Sequence, residues 1–121
     1  FDLVNGVTEL VKNGGTAFAD EILSTSKTDI MTGGGGNDTF LFGTGSGNDT
    51  IKDFSVSGDK IKVLKNVNGA TLETAANIFA KVTSGQDGAR LDLGNNNFIL
   101  LEGINKDNLS INNFEIVEVL M

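Results

Sequence analysis

The residues in this sequence best suited to chemistry are aspartates that recur at a fixed interval beside glycine-rich segments. Asp20, Asp29 and Asp38 are spaced nine residues apart, and Asp49 follows after a further eleven. Carboxylates and backbone carbonyls are the oxygen ligands that hard cations such as calcium prefer in proteins. Glycine allows positive φ and leaves the backbone bare, so a glycine-rich loop can wrap closely around a cation. The spacing therefore indicates cation binding.

The sequence lacks the side chains on which most enzyme and transition-metal sites depend. Its 121 residues include no histidine, cysteine or tyrosine. General acid–base catalysis would therefore fall to carboxylates or lysines, and thiolate or imidazole metal sites are excluded. The only plausible carboxylate pairs already belong to the repeats of glycine and aspartate. We expect no enzyme activity, and calcium as the cofactor.

The clearest repeat covers residues 33–41 and matches all nine positions of the pattern G-G-x-G-x-D-x-U-x, in which U is a large apolar residue. This pattern is typical of calcium-binding parallel β-helices. Residues 45–51 repeat it after a two-residue insertion. A flexible glycine linker is the alternative, but a linker gives no reason for aspartate and apolar residues to share a period. The apolar residues two positions after each aspartate, which we expect to form an inward ladder, are Ile22, Met31, Phe40 and Ile51.

The first two repeats depart from the pattern. Phe18 and Lys27 stand where glycine is expected. Phenylalanine restricts the backbone, and a lysine near a cation pocket is repulsive. We expect these two turns to bind calcium weakly or not at all.

On these motifs, residues 15–63 resemble the closing repeats of the repeats-in-toxin (RTX) family of secreted bacterial proteins. The resemblance is carried by residues 38–43, 47–54 and 58–61. It implies an all-β fold, a short parallel β-roll over residues 1–63 capped by a non-repeated C-terminal region over residues 64–121. It also implies a module of a larger extracellular protein that leaves the cell through a type I secretion apparatus, which reads an uncleaved C-terminal signal.

Successive loops of a two-sheet roll lie on opposite edges, so Asp20 is expected near Asp38, and Asp29 near Asp49. Two carboxylates about 5 Å apart repel by about 3 kcal/mol at an effective dielectric near 20. A divalent cation between them turns this repulsion into attraction, so calcium binding and folding are expected to be coupled.

The predicted ligands are the carboxylates of Asp20, Asp29, Asp38 and Asp49 and the carbonyls of Gly33, Gly35, Gly45 and Gly47. Asp53 and Asp59 follow the last repeat. They are expected either to complete or add a site there, or to be solvated turn carboxylates.

The C-terminal region contains signals for one helix and several strands. Thr71 is the predicted N-cap of a short helix with an apolar face of Leu72, Ala75, Ala76 and Phe79. Antiparallel strands joined by hairpins are predicted over residues 78–83, 89–93 and 98–101. A further strand is predicted within residues 109–121. Because an open β-roll exposes an apolar end and a pairing edge, this region is expected to cap it.

The charge of the chain limits its partners. A net charge of −7 and a pI near 4.3 argue against nucleic acid or an anionic membrane surface as partner. The longest apolar runs are too short for membrane insertion. Calcium ions are the expected partners, and an end-piece of an RTX adhesin is one alternative role.

A carbohydrate-binding accessory module of a secreted polysaccharide-modifying enzyme is the other alternative, since such modules also resemble RTX domains. Lys52, Lys60, Lys62 and Lys65 could form a basic strip, and the parity of the first three fits one strand face. The single Arg90 and the absence of Trp and Tyr weaken this reading. Edge lysines that deter sheet pairing are the favoured explanation.

Overall fold

The computed structural model describes residues 21–24 and 27–118, which form nine strands, one short α-helix and short 3-10 helices. The strands are β1 (Glu21–Leu23), β2 (Ile30–Met31), β3 (Thr39–Phe42), β4 (Asn48–Ile51), β5 (Lys60–Leu64), β6 (Val82–Thr83), β7 (Gly88–Asp92), β8 (Phe98–Glu102) and β9 (Phe114–Val117). The α-helix is α1 (Ala75–Phe79), and the 3-10 helices span Val67–Gly69, Lys106–Asn108 and Ile111–Asn113. The prediction of an all-β fold with one short helix is confirmed for the described residues.

The strands form two sheets, with β1 to β5 alternating between them. Sheet A has the order β1-β3-β5-β9 and is parallel throughout. Sheet B has the order β2-β4-β8-β7-β6, in which β2, β4 and β8 are parallel and β7 and β6 are antiparallel additions. Parallel neighbours need a crossover connection. Here the strand that lies between them in the sequence, which belongs to the other sheet, is part of this crossover. The chain therefore follows a helical path through both sheets.

The core between the sheets contains the predicted ladder. Ile22 lies opposite Phe40 in sheet A, and Met31 lies opposite Ile51 in sheet B. All four side chains are buried, so the predicted inward ladder is confirmed. Side chains alternate across a strand, and an aspartate two positions earlier therefore shares the inward face. This alternation is why Asp29, like the other repeat aspartates described, is buried at the rim of the core.

The longer step between the third and fourth repeats has a structural cause. The insertion begins with Phe42, which extends β3 and is fully buried opposite Val63 of β5. The extra residues thus add an apolar layer to the core.

The predicted helix start is wrong by three residues. Thr74, and not Thr71, is the N-cap of α1, because its Oγ1 accepts a hydrogen bond from Asn77 N at 3.1 Å. Leu72 precedes the helix and is fully buried. Its amide donates to Asn66 Oδ1, which ties the segment before the helix to a turn further back.

The predicted antiparallel hairpins are present, but the first strand starts later than predicted. Ile78 is buried within α1, so β6 comprises only two residues. Parallel winding also continues beyond residue 63, since β8 pairs with β4 and β9 pairs with β5. After the repeat ends, β6, β7 and β8 follow one another within sheet B, and the chain then returns to sheet A as β9.

The helix α1 packs beside β9, the edge strand of sheet A. The rings of Phe79 on α1 and Phe114 on β9 lie 5.9 Å apart. The predicted terminal strand is β9, preceded by a 3-10 helix whose N-cap is Ser110. The part of the predicted β-roll within residues 1–20, including the departure at Phe18, lies outside the described residues, as do residues 119–121.

Candidate functional site

The loops between the sheets stack along two edges of the molecule. The first edge carries the loops from sheet B to sheet A, residues 32–38 and 52–59. The second edge carries the loops from sheet A to sheet B, of which residues 24, 27–29 and 43–47 are described. Because the strands pair in parallel, loops on one edge follow each other one strand spacing apart, about 4.8 Å.

Asp29 and Asp49 meet on the second edge, as the spacing predicted. Asp49 Oδ1 accepts a hydrogen bond from Asp29 N at 2.9 Å, and both residues are buried. Asp20 lies outside the described residues, so its pairing with Asp38 stays a prediction.

The carboxylate of Asp49 is incompletely satisfied. Its Oδ2 is buried and has no hydrogen-bond partner among the described residues. Burial raises the pKa of Asp49 from 3.8 to about 8; the hydrogen bond from Asp29 N lowers this pKa, and the negative charge of Asp29 raises it further. A carboxylate in this position is stabilised by gaining either a proton or a cation.

The glycine loop of the first edge surrounds Asp38. Gly33 packs so closely on this buried carboxylate that a Cβ at residue 33 would overlap Asp38 Oδ2. Gly34 and Gly36 adopt positive φ angles of 80° and 78°. Gly35 is exposed at the tip between them. Glycine is thus required at residue 33 by close approach, and at residues 34 and 36 by backbone conformation.

Asp53 and Asp59 bind loop amides with both of their carboxylate oxygens. Asp53 accepts from Gly33 N at 2.9 Å and from Gly34 N at 3.0 Å. Asp59 accepts from Asp38 N and from Ser55 N, each at 2.8 Å. Asp59 is buried rather than solvated. A role of either carboxylate in a calcium site stays a prediction.

On the second edge, asparagines take the corresponding role. Gly45 N donates to Asn68 Oδ1 and Gly47 N donates to Asn97 Oδ1, both at 2.8 Å. Gly45 and Gly47 have positive φ angles of 74° and 85°. The sequence analysis missed both asparagines, since it interpreted asparagine-rich stretches only as turns. The signal that could have found them is a concentration of asparagines after the last repeat.

The oxygen atoms gathered here fit a hard cation. Within residues 21–24 and 27–118, no group of three or more acidic side chains converges to hold a metal. A cation on the second edge would therefore depend on the Asp29 and Asp49 carboxylates together with backbone carbonyls. This donor set contains only oxygen, as calcium prefers, and the buried Oδ2 of Asp49 is an acceptor suited to it. Lys27 is exposed on the loop that carries Asp29.

A basic strip of the four lysines, which the sequence analysis gave as the less favoured possibility, does not form. Lys60 and Lys62 share the outer face of β5, but Lys52 follows β4 in the other sheet. Lys52 makes an ion pair with Glu102 at 3.2 Å, and Lys65 makes one with Glu118 at 3.7 Å. Two of the four lysines are thus partnered by acidic side chains.

Arg90 is the other basic feature. Its guanidinium lies over the ring of Phe98, 5.2 Å from the centroid, on the outer face of sheet B. Clefts on either side of Arg90 are lined by polar side chains that include Thr50 and Gln86. In the described part of the chain Arg90 has no ion-pair partner.

No protein-family model matches this chain, and no curated protein is significantly similar to it. The resemblance to RTX repeats therefore depends on the motifs themselves. None of the helices in the described ranges has the length and apolar character needed to cross a membrane.

Proposed function

We propose that this chain is a calcium-binding module of the RTX type, in which the parallel strands form a β-roll and the loops of glycine and aspartate hold calcium. The observation that carries the proposal is the Asp49 carboxylate, which is buried beside Asp29 with one oxygen that accepts no hydrogen bond from the described residues. An uncompensated buried carboxylate is costly. A divalent cation beside the pair removes this cost and supplies the missing contact.

The second-edge site would use the carboxylates of Asp29 and Asp49 and the carbonyls of Gly45 and Gly47. The positive φ of both glycines supports a tight loop there. When bound, calcium supplies two positive charges to a pair of buried negative ones. Folding of this edge would then depend on calcium, because the unfolded chain does not hold these ligands together.

The first-edge site would use the carboxylate of Asp38 and the carbonyls of Gly33 and Gly35, with Asp20 from the preceding turn. The close packing of Gly33 on Asp38 supports this set. The loop already brings an acidic side chain against bare backbone, as an oxygen-coordinated cation requires.

The setting we propose is a secreted, extracellular protein exported by a type I apparatus, with the C-terminal region carrying the signal. Extracellular calcium modules respond to concentrations of about 10⁻⁴ to 10⁻³ M. The net charge of −7 supports a chain that stays open without calcium, since like charges repel. Calcium outside the cell would then fold the exported chain.

The test is a calcium titration followed by far-UV circular dichroism, with magnesium as the ion control. We expect a cooperative rise in β signal with calcium alone. Asp49→Asn should shift the midpoint to at least about tenfold higher calcium. Asp107→Asn, an equal charge change at an exposed residue on a different loop, should leave the midpoint within about twofold. A spectrum that is fully β in chelator and unaffected by calcium in the wild type would refute the proposal.

Carbohydrate binding is the second candidate, and the observation that favours it is Arg90 over Phe98. An arginine held on an aromatic ring with open donors can bind the carboxylate of an acidic sugar. Isothermal titration with a uronic acid oligosaccharide in calcium should give binding that Arg90→Ala abolishes. Lys106 Nζ lies over the ring of Phe79, 5.8 Å from its centroid, so Lys106→Ala is the control. Absence of heat with the wild type would dismiss this candidate.

A further inference from the structure

The carboxylate of Asp53 lies on two consecutive backbone amides of the preceding loop on its edge. Its Oδ1 accepts from Gly33 N and its Oδ2 from Gly34 N, at 2.9 and 3.0 Å. Consecutive amides that converge on one anion form a nest, and hydrogen bonds to a carboxylate are stronger than those between neutral groups. Asp53 therefore fixes the orientation of both peptide groups across a separation of twenty residues.

This contact connects Asp53 to Asp38 through a single residue. Gly33 donates its amide to Asp53, and its Cα packs against Asp38 Oδ2. Rotation of the peptide at residue 33 would therefore displace the surface on which the Asp38 carboxylate rests. Asp59 holds the other end of the loop by accepting from Asp38 N.

On the second edge, neutral side chains hold the amides of the glycine loop in place. There the amides of Gly45 and Gly47 donate to two different neutral side chains, Asn68 and Asn97. One aspartate on the first edge thus does what two asparagines do on the second. The effect of an anionic side chain that binds glycine-loop amides can therefore be compared with that of neutral side chains within the same chain.

We propose that Asp53 is a positioning residue, which holds Gly33 and Gly34 in the conformation that presents Asp38 to calcium without itself being a calcium ligand. This inference rests on the proposed calcium function. Asp53→Asn keeps the shape of the side chain but turns an NH2 group toward one amide donor. The variant therefore loses at least one of the two hydrogen bonds.

The first test is amide hydrogen exchange by NMR at saturating calcium, where the wild type is folded. In Asp53→Asn we expect exchange at Gly33 and Gly34 to become at least about tenfold faster. Exchange at Gly45 and Gly47 should be unchanged and serves as the internal control. Unchanged rates at Gly33 and Gly34 would overturn the proposed role of Asp53.

The second test is isothermal titration with calcium. We expect Asp53→Asn to weaken the affinity about tenfold at unchanged stoichiometry, and Asp107→Asn to match the wild type. In an Asp38→Asn background, Asp53→Asn should have no further effect on calcium binding. A loss of one bound ion on Asp53→Asn would make Asp53 a ligand and overturn the inference, as would an effect that persists without Asp38. Wild-type protein that binds no calcium would instead refute the proposed function, and the exchange result would still report on the contact.

Discussion

Asp49 Oδ1 accepts the backbone amide of Asp29 at 2.9 Å, so two buried acidic residues twenty positions apart are joined by a hydrogen bond. The contact satisfies the amide of Asp29 and one oxygen of Asp49. It also keeps the two acidic residues close, and it leaves Asp49 Oδ2 buried without a hydrogen-bond partner in the described residues. The calcium-free molecule is therefore destabilised at the position where a cation would stabilise it.

Replacing Asp49 with asparagine should separate the effect of the hydrogen bond to Asp29 N from the effect of the buried charge. Asp49→Asn keeps an oxygen for Asp29 N and removes the buried charge. In chelator at pH 9 we expect the variant to keep more β signal than the wild type, because it has no buried carboxylate to ionise; the difference corresponds to about 1 kcal/mol or more. The increase in β signal on adding calcium should fall by at least half. Far-UV circular dichroism with and without calcium measures both changes, and a variant that keeps the full calcium response would contradict the site.

The raised pKa of Asp49 predicts a pH dependence of stability in chelator. The carboxyl ionises near 3.8 in the unfolded chain and at about 8 in the folded one. Between these values the folded state holds one more proton, so the stability contributed by this group is complete below about pH 4 and is lost as pH rises through 8.

In chelator, the β signal in far-UV circular dichroism should therefore decrease from pH 5 to pH 7 and to pH 9. Asp49→Asn is the control that removes this part of the decrease. Calcium competes with the proton, so calcium affinity should increase as the pH rises toward 8 and above. An equal pH slope in wild type and variant would show that Asp49 does not titrate in this range.

Gly33 should tolerate no side chain, for a steric reason. The Cβ of Gly33→Ala would overlap Asp38 Oδ2, so we expect a loss of about 1–3 kcal/mol in stability, as for other overpacked sites, and weaker calcium binding. Gly45→Ala is the contrast, because a Cβ at residue 45 would meet no atom within 4 Å. An alanine there would be strained only by the positive φ. Its cost should be about 1 kcal/mol. Thermal denaturation at saturating calcium compares them, and equal losses would argue against the steric explanation.

Asn97 should contribute strongly to stability although it follows the repeats. It accepts from Gly47 N and donates to the carbonyls of Gly94 and Asn95. Asn97→Ala leaves these partners unsatisfied, and we expect a loss of about 2–3 kcal/mol. Asn112→Ala, at an exposed residue, should change stability by less than about 0.5 kcal/mol. Urea denaturation at saturating calcium provides the comparison, and a loss below 1 kcal/mol would mean that Asn97 is dispensable.

The sequence predicted the parts of the molecule that depend on a fixed period. The inward ladder of Ile22, Met31, Phe40 and Ile51 follows from the position of each apolar residue relative to its aspartate. The approach of Asp29 to Asp49 follows from the same period and from loops that alternate between two edges. Short-range periodicity was sufficient, because each turn of the chain repeats the geometry of the one before.

The sequence did not predict contacts made between the repeats and the region after them. Asn68 and Asn97 bind glycine amides 23 and 50 residues earlier, and no local pattern specifies such pairings. The helix start was misplaced for a related reason. Thr71 and Thr74 are both acceptable caps, and the choice is decided by Asn66, which binds the amide of Leu72 and keeps that segment out of the helix.

The alternation of β1 to β5 between two sheets also has a mechanical consequence. Asp53 and Asp59 on the first edge each bind the loop about one winding earlier, 19 to 21 residues away. A pulling force applied at the amino-terminal end would therefore load one winding at a time, because a winding contacts mainly its neighbours. Each release would lengthen the chain by roughly 70 Å, at about 3.4 Å per extended residue. Under force the molecule would unfold in steps from the amino-terminal end, and the part of the fold covered by α1 would unfold last.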